Sequence, residues 1–558
     1  MDIMNIFKQK ATQKNPSDYD LPNQGGIVIG YEKKSKNKFR FASQKDPPLQ
    51  GDEKIYYIDD DLHTIILGAT RSGKTRSIIL QSICFTGLSS ESMIITDVKG
   101  ELHEYTHIYL TRLGYEVITL DFKNPLKSSK YNFLQPIIDN VRQGHISKAV
   151  GLVWDLTASL VPETKGEQIW TDGQASVIAG AIMSVVFDNM ERPQFQNMTN
   201  VYYFINYMCK SGERGEMPLN KYIDSLKDNH PAKGLFGVAL LAPSKTRGSF
   251  FTSALATLRL FTDPNIYNMT QESDFNISAT GDKKRAVFII LPDEKTTYNS
   301  VASLFIYQQY VYLVEASDEN GGRLNNRVNF ILEEFGNFTK IVSFSNLLTV
   351  GGGRGCRFCL VVQSFSQIEE KYGKEQAETI KDNCHCLIYL RSENPNTNAE
   401  ISKRLGKYTT SSYGRSNSHS RNPNGSSSMN LIARDLLMPE EVNKVERPYL
   451  LVLMSGAYPA VMKMPDISQW RFNTMLGMGD KKHNQKLRML RRSLRKDDTA
   501  EDFKLWNVWN KFKVGETALP IQDPSEFPES SEDYYYDEAK AVDEATSDIR
   551  LNDFDEYE

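Results

Sequence analysis

The feature that most constrains the fold is the glycine-rich stretch GATRSGKT at residues 68–75. It follows the β-branched apolar run HTIILG and precedes TRSIILQSICFTG, whose apolar residues recur at helical spacing. A strand, a glycine-rich turn and a helix in this order are typical of a phosphate-binding loop. The chain therefore has to build at least one buried strand that delivers this loop to the start of a helix.

Each part of this loop suits one task in holding phosphate groups. Gly68 and Gly73 allow the turn that points backbone N–H groups at the phosphates. Lys74 is long enough to reach the β- and γ-phosphates, and the Thr75 hydroxyl suits Mg²⁺. The predicted binding residues are Gly68, Ala69, Thr70, Arg71, Ser72, Gly73, Lys74 and Thr75.

Further apolar runs along the chain indicate an α/β sheet. The runs that end in polar residues and read as buried strands are SMIITD, YEVITLDF, RAVFIILPD, VNFILEE, RFCLVVQS, CLIYL and YLLVLM. Helical patterns lie between most of them, and this alternation predicts a parallel sheet covered on both faces, with ligands at the carboxyl ends of its strands. Residues 125–272 are apolar at helical spacing and predict an inserted helical domain.

Two of these strands end in candidate catalytic residues. VNFILEE ends in Glu333 and Glu334, and we assign Glu333 to the Mg²⁺ ion and Glu334 to polarising the attacking water. Two acids after a strand are more often structural when they stand alone, but the phosphate loop upstream favours the catalytic interpretation. Gln363, at the end of RFCLVVQS, is predicted to sense the γ-phosphate or orient water, with a strand cap as its alternative role.

Charge and composition narrow the class of protein. Residues 521–558 carry 14 Asp and Glu against Lys540 and Arg550, a net charge of −12, which leaves +8 on the rest of the chain. A basic body suits a polyanion and an acidic tail suits a basic protein, although a solvated tail without a partner is the alternative. No apolar run approaches the roughly 18 residues of a membrane span, and the N-terminus lacks a signal-peptide stretch, so we expect a cytosolic protein.

The cysteines do not predict a disulfide framework. Six cysteines in 558 residues fit a reducing compartment. Cys356 and Cys359, with Cys384, His385 and Cys386, leave a zinc site open as an alternative. We favour apolar packing because these residues fall in or beside predicted core strands.

Several longer motifs resemble a known family, the type IV coupling proteins of bacterial conjugation, or TraG-class ATPases. The resemblance spans roughly residues 55–465 and rests on GATRSGKT, DVKGELHEYT, SKYNFLQPI, FTDPNIY, FILEEFGNF, GGGRGCRF with VVQSFSQIEEKYG, and ISKRLG with RDLLMPEEV. It implies a RecA-like P-loop NTPase fold with an inserted all-α domain. It also implies a ring, of six subunits, that hydrolyses ATP with Mg²⁺ and delivers single-stranded DNA with its relaxase to a type IV secretion channel.

The sequence departs from this family in two places. Family members usually carry an N-terminal transmembrane anchor, and residues 1–60 contain none, so the chain resembles an anchorless subgroup that a separate membrane protein would recruit. Glu333 stands where the family has Asp, and the longer side chain changes its reach to the metal. Ring ATPases complete each site with a neighbour's arginine. We assign Arg354 to this role, with Arg357 as a second candidate and a solvated loop arginine as the alternative.

The resulting domain prediction has five parts. They are an N-terminal segment 1–60, a discontinuous RecA-like domain 61–124 and 273–475, an all-α insertion 125–272, a basic helical segment 476–515 and a disordered acidic tail 516–558. Residues 411–428 are predicted to form a mobile loop. Residues 481–496 are predicted to form a basic helix that faces solvent, nucleic acid or anionic lipid.

The predicted function is an ATPase that recruits the relaxosome and drives conjugative DNA transfer. A nucleotide-binding adaptor without motor activity is the alternative, and the Glu333 departure motivates it. A chromosome-segregation translocase would share the sheet domain, but DVKGELHEYT and the large helical insertion argue against it.

Overall fold

The structure, a computed structural model, describes residues 25–33, 53–161, 168–210, 216–276, 278–294, 296–417, 425–469, 473–494 and 502–512. The acidic tail 516–558 and most of the segment 1–60 lie outside the described residues. The strands are β1 (Ile27–Lys33), β2 (Glu53–Ile58), β3 (Thr64–Gly68), β4 (Ser92–Val98), β5 (Glu116–Asp121), β6 (Arg285–Leu291), β7 (Val328–Leu332), β8 (Cys356–Val362), β9 (Cys386–Arg391), β10 (Lys407–Asn417), β11 (Gly425–Asp435), β12 (Tyr449–Met454) and β13 (Ala460–Lys463).

Nine of the described strands form one sheet, in the order β13-β12-β9-β3-β8-β7-β4-β6-β5. From β9 to β5 every neighbouring pair is parallel, and β12 and β13 add an antiparallel edge. All the predicted strands are present in this sheet, so the predicted α/β class with a parallel sheet is confirmed. The order places the carboxyl end of β3 close to those of β8, β7 and β4.

The α-helices cover both faces of the sheet and fill the long segment between β5 and β6. They are α1 (Leu80–Leu88), α2 (Glu101–Arg112), α3 (Gln135–Arg142), α4 (Ile146–Leu160), α5 (Gln168–Phe187), α6 (Met198–Met208), α7 (Pro218–Ser225), α8 (Pro231–Leu235), α9 (Gly237–Leu241), α10 (Ser244–Leu258), α11 (Pro264–Thr270), α12 (Asn299–Glu319), α13 (Phe344–Arg354), α14 (Phe365–Tyr372), α15 (Lys374–Asn383), α16 (Pro395–Leu405), α17 (Pro439–Val442), α18 (Asn473–Leu476) and α19 (Lys481–Leu494).

The core lies on the two faces of the sheet, and alternate residues of β3 serve each face. Ile65 and Leu67 join the core that includes α3–α6 and α12–α15, whereas Ile66 joins the core under α1, α2 and the β1–β2 pair. Because side chains alternate along a strand, a strand buried on both faces has to be apolar throughout. This is why HTIILG contains a continuous apolar run.

Helix α5 is the centre of the helical segment between β5 and β6. Gly173 and Gly180 let aromatic rings lie against it, since a Cβ there would come within 2.3 Å of the Phe250 ring and 2.6 Å of the Phe236 ring. Among the described residues, α5 is the one helix long and apolar enough to cross a membrane, and most of it is buried inside the fold. The expectation that no apolar run approaches this length was therefore wrong, because a core helix passes the same test.

The predicted mobile loop at residues 411–428 is wrong for most of its length. Residues 411–417 and 425–428 belong to the antiparallel hairpin β10–β11, which pairs Lys407 with Asp435 through to Asn417 with Gly425. Residues 418–424 lie outside the described residues. The run contains eight Ser and a single Tyr, so its polarity alone could not distinguish a loop from a polar hairpin.

The last described segment, residues 502–512, packs on the helical insertion rather than continuing α19. Asn200 on α6 donates to the Lys504 carbonyl at 2.9 Å and accepts from the Trp506 N–H at 2.8 Å. The Trp506 ring stacks on Phe204, with ring centroids 5.8 Å apart. The predicted basic helix at 481–496 is present as α19 over residues 481–494, and the chain beyond it reaches the insertion.

Candidate nucleotide-binding site

The glycine-rich loop leaves β3 at Gly68 and enters the helical turn Thr75–Ile79 before α1. Gly68 is required by close packing, because a Cβ there would lie 2.4 Å from Ser72 Oγ. The backbone is left-handed at Arg71, with φ +66°, and at Gly73, with φ +99°. The predicted strand, turn and helix are therefore present, and the turn has the positive φ angles that a phosphate-binding loop needs.

Lys74 folds back over this loop. Its Nζ donates to the Gly68 carbonyl at 2.5 Å and lies 3.9 Å from a Glu334 carboxylate oxygen. Burial lowers the pKa of Lys74, and the Glu334 and Glu333 carboxylates oppose that shift. The ammonium group is thus held at the centre of the loop, between the loop backbone and the acid pair.

The acid pair reaches the loop from a segment 258 residues away. The Thr75 hydroxyl donates to Glu333 Oε1 at 2.8 Å, just after the end of β7. Glu334 follows in the left-handed region, with φ +53°, which turns the chain away from the strand direction. The structure therefore brings together Lys74, Thr75, Glu333 and Glu334, as the sequence predicted.

Gln363 completes this group from the end of β8. Its Nε2 donates to Glu334 Oε2 at 3.1 Å, and its Oε1 lies 3.5 Å from the Thr70 hydroxyl. It therefore contacts both the loop and the second acid, a placement that suits orienting a water between them.

Asp97 is a buried neighbour of the site to which sequence reasoning gave no role. At the end of β4 it accepts from the Gly100 N–H at 3.1 Å and the His103 N–H at 2.7 Å, which caps α2. Burial raises the pKa of Asp97 to about 7. Burial, together with the nearby Asp97, raises the pKa of Glu333 to about 8. The sequence signal that could have found Asp97 is the motif DVKGEL, in which Asp97 ends a predicted strand shortly before Gly100.

This crowding of carboxyl groups identifies where a cation would bind. Glu334 and Glu333 lie near Lys74, and Asp97 lies near Glu333, so the carboxyl groups outnumber the lysine and the site favours additional positive charge. The described residues contain no cluster of three or more His, Cys, Asp or Glu arranged to hold a metal ion alone. Thr75 and Glu333 offer oxygen ligands, and a magnesium ion commonly takes the rest of its shell from phosphates and water.

The two arginine candidates for completing a neighbour's site lie near the amino end of β8, on the opposite side of the sheet from the phosphate loop. Arg354 ends α13 and donates to the Ser317 hydroxyl at 2.8 Å and to the Asp318 carboxylate. It does not join the loop within the chain, and its role across a subunit interface stays a prediction. Arg357 is buried in β8, where it pairs with Glu91 and donates to Asn329 at 2.9 Å. Arg357 is therefore a structural residue, and its candidacy for a neighbour's site was wrong.

The four cysteines that left a zinc site open are all buried in the core: Cys356, Cys359, Cys384 and Cys386.

His63, at the start of β3, accepts from the Phe358 N–H at 3.0 Å and hydrogen-bonds the Leu348 carbonyl at 2.7 Å. Both ring nitrogens are thus used to join β3 to its neighbours.

A family profile described as "Type IV secretory system Conjugative DNA transfer" matches residues 10–473, well over half of the 558 residues. The chain belongs to this family. It is a type IV coupling protein.

Two curated relatives are identical to this coupling protein at about a quarter of the aligned residues, over most of its length. VirD4 of Rhizobium radiobacter is 24% identical over 406 residues, which are 72% of this chain and 56% of VirD4. The conjugal transfer protein TraG of Escherichia coli is 23% identical over 402 residues, 70% of this chain and 59% of TraG. The chain therefore spans less than two thirds of the length of these relatives.

The plasmid coupling protein TrwB, in complex with ADP and Mg²⁺, has a TM-score of 0.54 at 17% identity and covers 74% of this coupling protein and 87% of TrwB. This likeness shows the fold, and the predicted RecA-like P-loop class is confirmed.

Arg447 is a further residue at the loop of this coupling protein that the sequence did not indicate. Its guanidinium donates to the carbonyl oxygens of Arg71 and Ser72, from a position just before β12. Nothing in local sequence pattern reports a contact between residues 375 positions apart.

Proposed function

We propose that this chain binds and hydrolyses ATP with Mg²⁺ and drives conjugative transfer of single-stranded DNA, with its attached relaxase, into a type IV secretion channel. The observation that carries the proposal is the 2.8 Å hydrogen bond from Thr75 to Glu333, which joins the phosphate loop to the acid pair. The fold likeness to TrwB, a coupling protein solved in complex with ADP and Mg²⁺, supports the nucleotide and the ion.

Each residue in the site has a task in this proposal. The loop N–H groups from Gly68 to Thr75 and the Lys74 ammonium bind the phosphates, and Thr75 and Glu333 hold the Mg²⁺ ion. When bound, Mg²⁺ stabilises negative charge on the phosphoryl oxygens. Glu334 takes up a proton from the attacking water, and Gln363, hydrogen-bonded to Glu334, orients that water.

The Glu333 departure from the family Asp fits this scheme. The longer side chain reaches the Thr75 hydroxyl directly, so one carboxylate oxygen is already placed beside a Mg²⁺ ligand. The same departure motivates the second candidate function, a nucleotide-binding adaptor that uses ATP only to assemble with the relaxosome.

The assembly and its location are further parts of the proposal. We propose a hexameric ring in which Arg354 reaches a neighbour's nucleotide, with the RecA-like domain at residues 61–124 and 273–475 and the all-α domain at 125–272. The proposed location is cytoplasmic, at the inner face of the cell membrane, where secretion channel proteins and a membrane partner receive the complex. Membership of the conjugative DNA-transfer family supports these partners.

The test compares ATP turnover of the wild type and Lys74→Ala, with and without single-stranded DNA. We expect turnover that DNA stimulates in the wild type, and loss of both turnover and DNA transfer in Lys74→Ala, because the loop loses its phosphate-binding cation. Normal DNA transfer by Lys74→Ala would contradict the motor. Nucleotide binding without turnover in the wild type would favour the adaptor.

A further inference from the structure

An arginine from a distant part of the chain contacts the backbone of the phosphate loop. Arg447 Nε donates to the Ser72 carbonyl at 2.9 Å, and a terminal nitrogen donates to the Arg71 carbonyl. The guanidinium lies so close to Gly73 that a Cβ there would come within 2.7 Å of Arg447 Nε. The loop is therefore held by a planar, permanently charged group that bridges two successive peptide units.

We propose that Arg447 is a positioning residue for the nucleotide phosphates, which acts by fixing the orientation of the peptide units 71–72 and 72–73. The inference rests on the proposed function, since it takes the loop to bind a nucleoside triphosphate. In a trans peptide the N–H points away from the carbonyl oxygen of the same unit. Because the Ser72 carbonyl points to Arg447, the Gly73 N–H of the same peptide unit points to the side away from Arg447.

The loop backbone is strained at a residue that Arg447 contacts. Arg71 has φ +66°, a conformation that residues with a side chain rarely adopt, and such strain persists only where surrounding contacts impose it. The bridging arginine is one such contact. A cation on the carbonyl side also polarises the peptide units, which makes their N–H groups stronger donors to an anion.

A second tie from the same part of the chain provides a matched control. Asp466 forms a two-pronged ion pair with Arg76, at 2.6 and 2.7 Å, one residue after Thr75. This pair attaches the segment after β13 to the helix rather than to the loop carbonyls. A variant that breaks it loosens the attachment but leaves the peptide units 71–73 bridged by Arg447.

The experiment measures the dissociation constant of a non-hydrolysable ATP analogue with Mg²⁺ for the full chain and four variants: Lys74→Ala, Arg447→Ala, Arg447→Lys and Asp466→Asn. We expect Arg447→Ala to weaken binding about tenfold or more, as expected for loss of charge-assisted hydrogen bonds. We expect Arg447→Lys to weaken it by about half as much on the logarithmic scale, because lysine keeps the charge and loses the fork. Asp466→Asn should stay within about twofold, as expected for a partly exposed pair.

Two further measurements, rescue of affinity by free guanidinium and the thermal midpoint, separate positioning from a general loss of structure. Millimolar guanidinium should restore much of the affinity of Arg447→Ala, and should leave Asp466→Asn unchanged. If Arg447→Ala does not fold, Arg447→Lys carries the test through its affinity and its thermal midpoint without nucleotide.

The outcomes distinguish this inference from the function on which it rests. Affinity of Arg447→Ala and Arg447→Lys within twofold of a wild type that binds, while Lys74→Ala does not bind, overturns the role of Arg447 alone. Equal losses in Arg447→Ala and Asp466→Asn overturn it as well, because attachment of the segment then explains both. A wild type that does not bind the analogue overturns the proposed function and this inference together.

Discussion

The amino ends and the carboxyl ends of the parallel strands, here called the amino edge and the carboxyl edge of the central sheet, both bury charged groups. The two edges balance those charges differently. At the amino edge, Arg357 and Arg327 pair with Glu91, and Arg327 also pairs with Asp61 at 2.8 Å. At the carboxyl edge, Glu333 and Glu334 lie near the single cation Lys74, and Asp97 adds a third carboxyl group beside Glu333. One edge is neutralised within the chain, and the other favours an additional cation.

The amino edge uses its charges to tie the chain together. Arg357 donates to the Gly25 carbonyl at 2.9 Å and to Asn329 at 2.9 Å, and the Gly25 N–H donates to Glu91 at 2.8 Å. These bonds join β1, β7, β8 and the start of β4. Buried charges with this many partners indicate a structural role, because each partner offsets the loss of hydration.

The carboxyl edge leaves its charges incompletely matched and carries backbone strain. The pKa of Glu333 is raised to about 8 and that of Asp97 to about 7, and Arg71 and Glu334 have positive φ angles. Perturbed carboxyl groups and strained backbone at one strand edge are typical of functional sites. The balance of buried charge, rather than its presence, therefore distinguishes the candidate site from the scaffold.

The largest expected effect on folding comes from breaking the amino edge. Arg357→Met should lower the free energy of unfolding by about 3–5 kcal/mol, because it leaves the buried Gly25 and Asn329 acceptors without this donor and removes one of the two arginines that pair with Glu91. Chemical denaturation measures this loss. The matched control is Arg354→Met, three positions earlier, whose partly exposed pair with Asp318 should cost less than about 1 kcal/mol. Equal costs for the two variants would contradict the contrast between the edges.

The second prediction concerns pH and His63 at the amino edge. Burial lowers the pKa of His63 to about 4, with nearby His385 and Arg357 acting in the same direction and Asp61 opposing them. Below about pH 6.5, His63 binds a proton in the unfolded chain but not in the folded chain. Stability therefore falls as the pH drops from about 6.5 to about 4. The expected loss from this residue is about 3 kcal/mol.

The measurement is denaturation across this pH range for the wild type and His63→Gln. The variant should be less stable at neutral pH, because one of the two His63 hydrogen bonds is lost, and it should show a shallower fall toward acid. A slope identical to that of the wild type would show that His63 titrates normally.

The smallest expected effect on folding is at the carboxyl edge. Glu333→Gln should change the free energy of unfolding by less than about 1 kcal/mol, or stabilise the fold, because the amide keeps the shape and removes a crowded carboxyl group. The same variant should lower ATP turnover by about 100-fold, since the Mg²⁺ loses a charged ligand. A large loss of stability without a loss of turnover would reverse the assignment of the two edges.

Much of the scaffold could be predicted from the sequence because its signals are local. The strand, turn and helix around Lys74 are encoded within 25 residues, from His63 to Gly87, and every predicted strand of the sheet is present. The meeting of Glu333 with Thr75 could be predicted because parallel strands bring their carboxyl ends to one edge.

Other features depend on contacts that local pattern does not report. The bridge from Arg447 to the loop and the packing of residues 502–512 on α6 each join segments hundreds of positions apart. Arg357 could have been recognised as structural, because it lies inside a buried strand. The hairpin β10–β11 was missed because residues 411–428 are almost all polar, so they show no apolar alternation to detect.

The central claim is that Lys74 and Glu333 serve the same nucleotide, and Mg²⁺ dependence tests it most directly. The measurement is the affinity of a non-hydrolysable ATP analogue with and without Mg²⁺ for the wild type, Lys74→Ala and Glu333→Gln. We expect Mg²⁺ to tighten binding in the wild type, Glu333→Gln to lose most of that gain while keeping Mg²⁺-free binding, and Lys74→Ala to lose both. An equal gain from Mg²⁺ in the wild type and Glu333→Gln would contradict the claim.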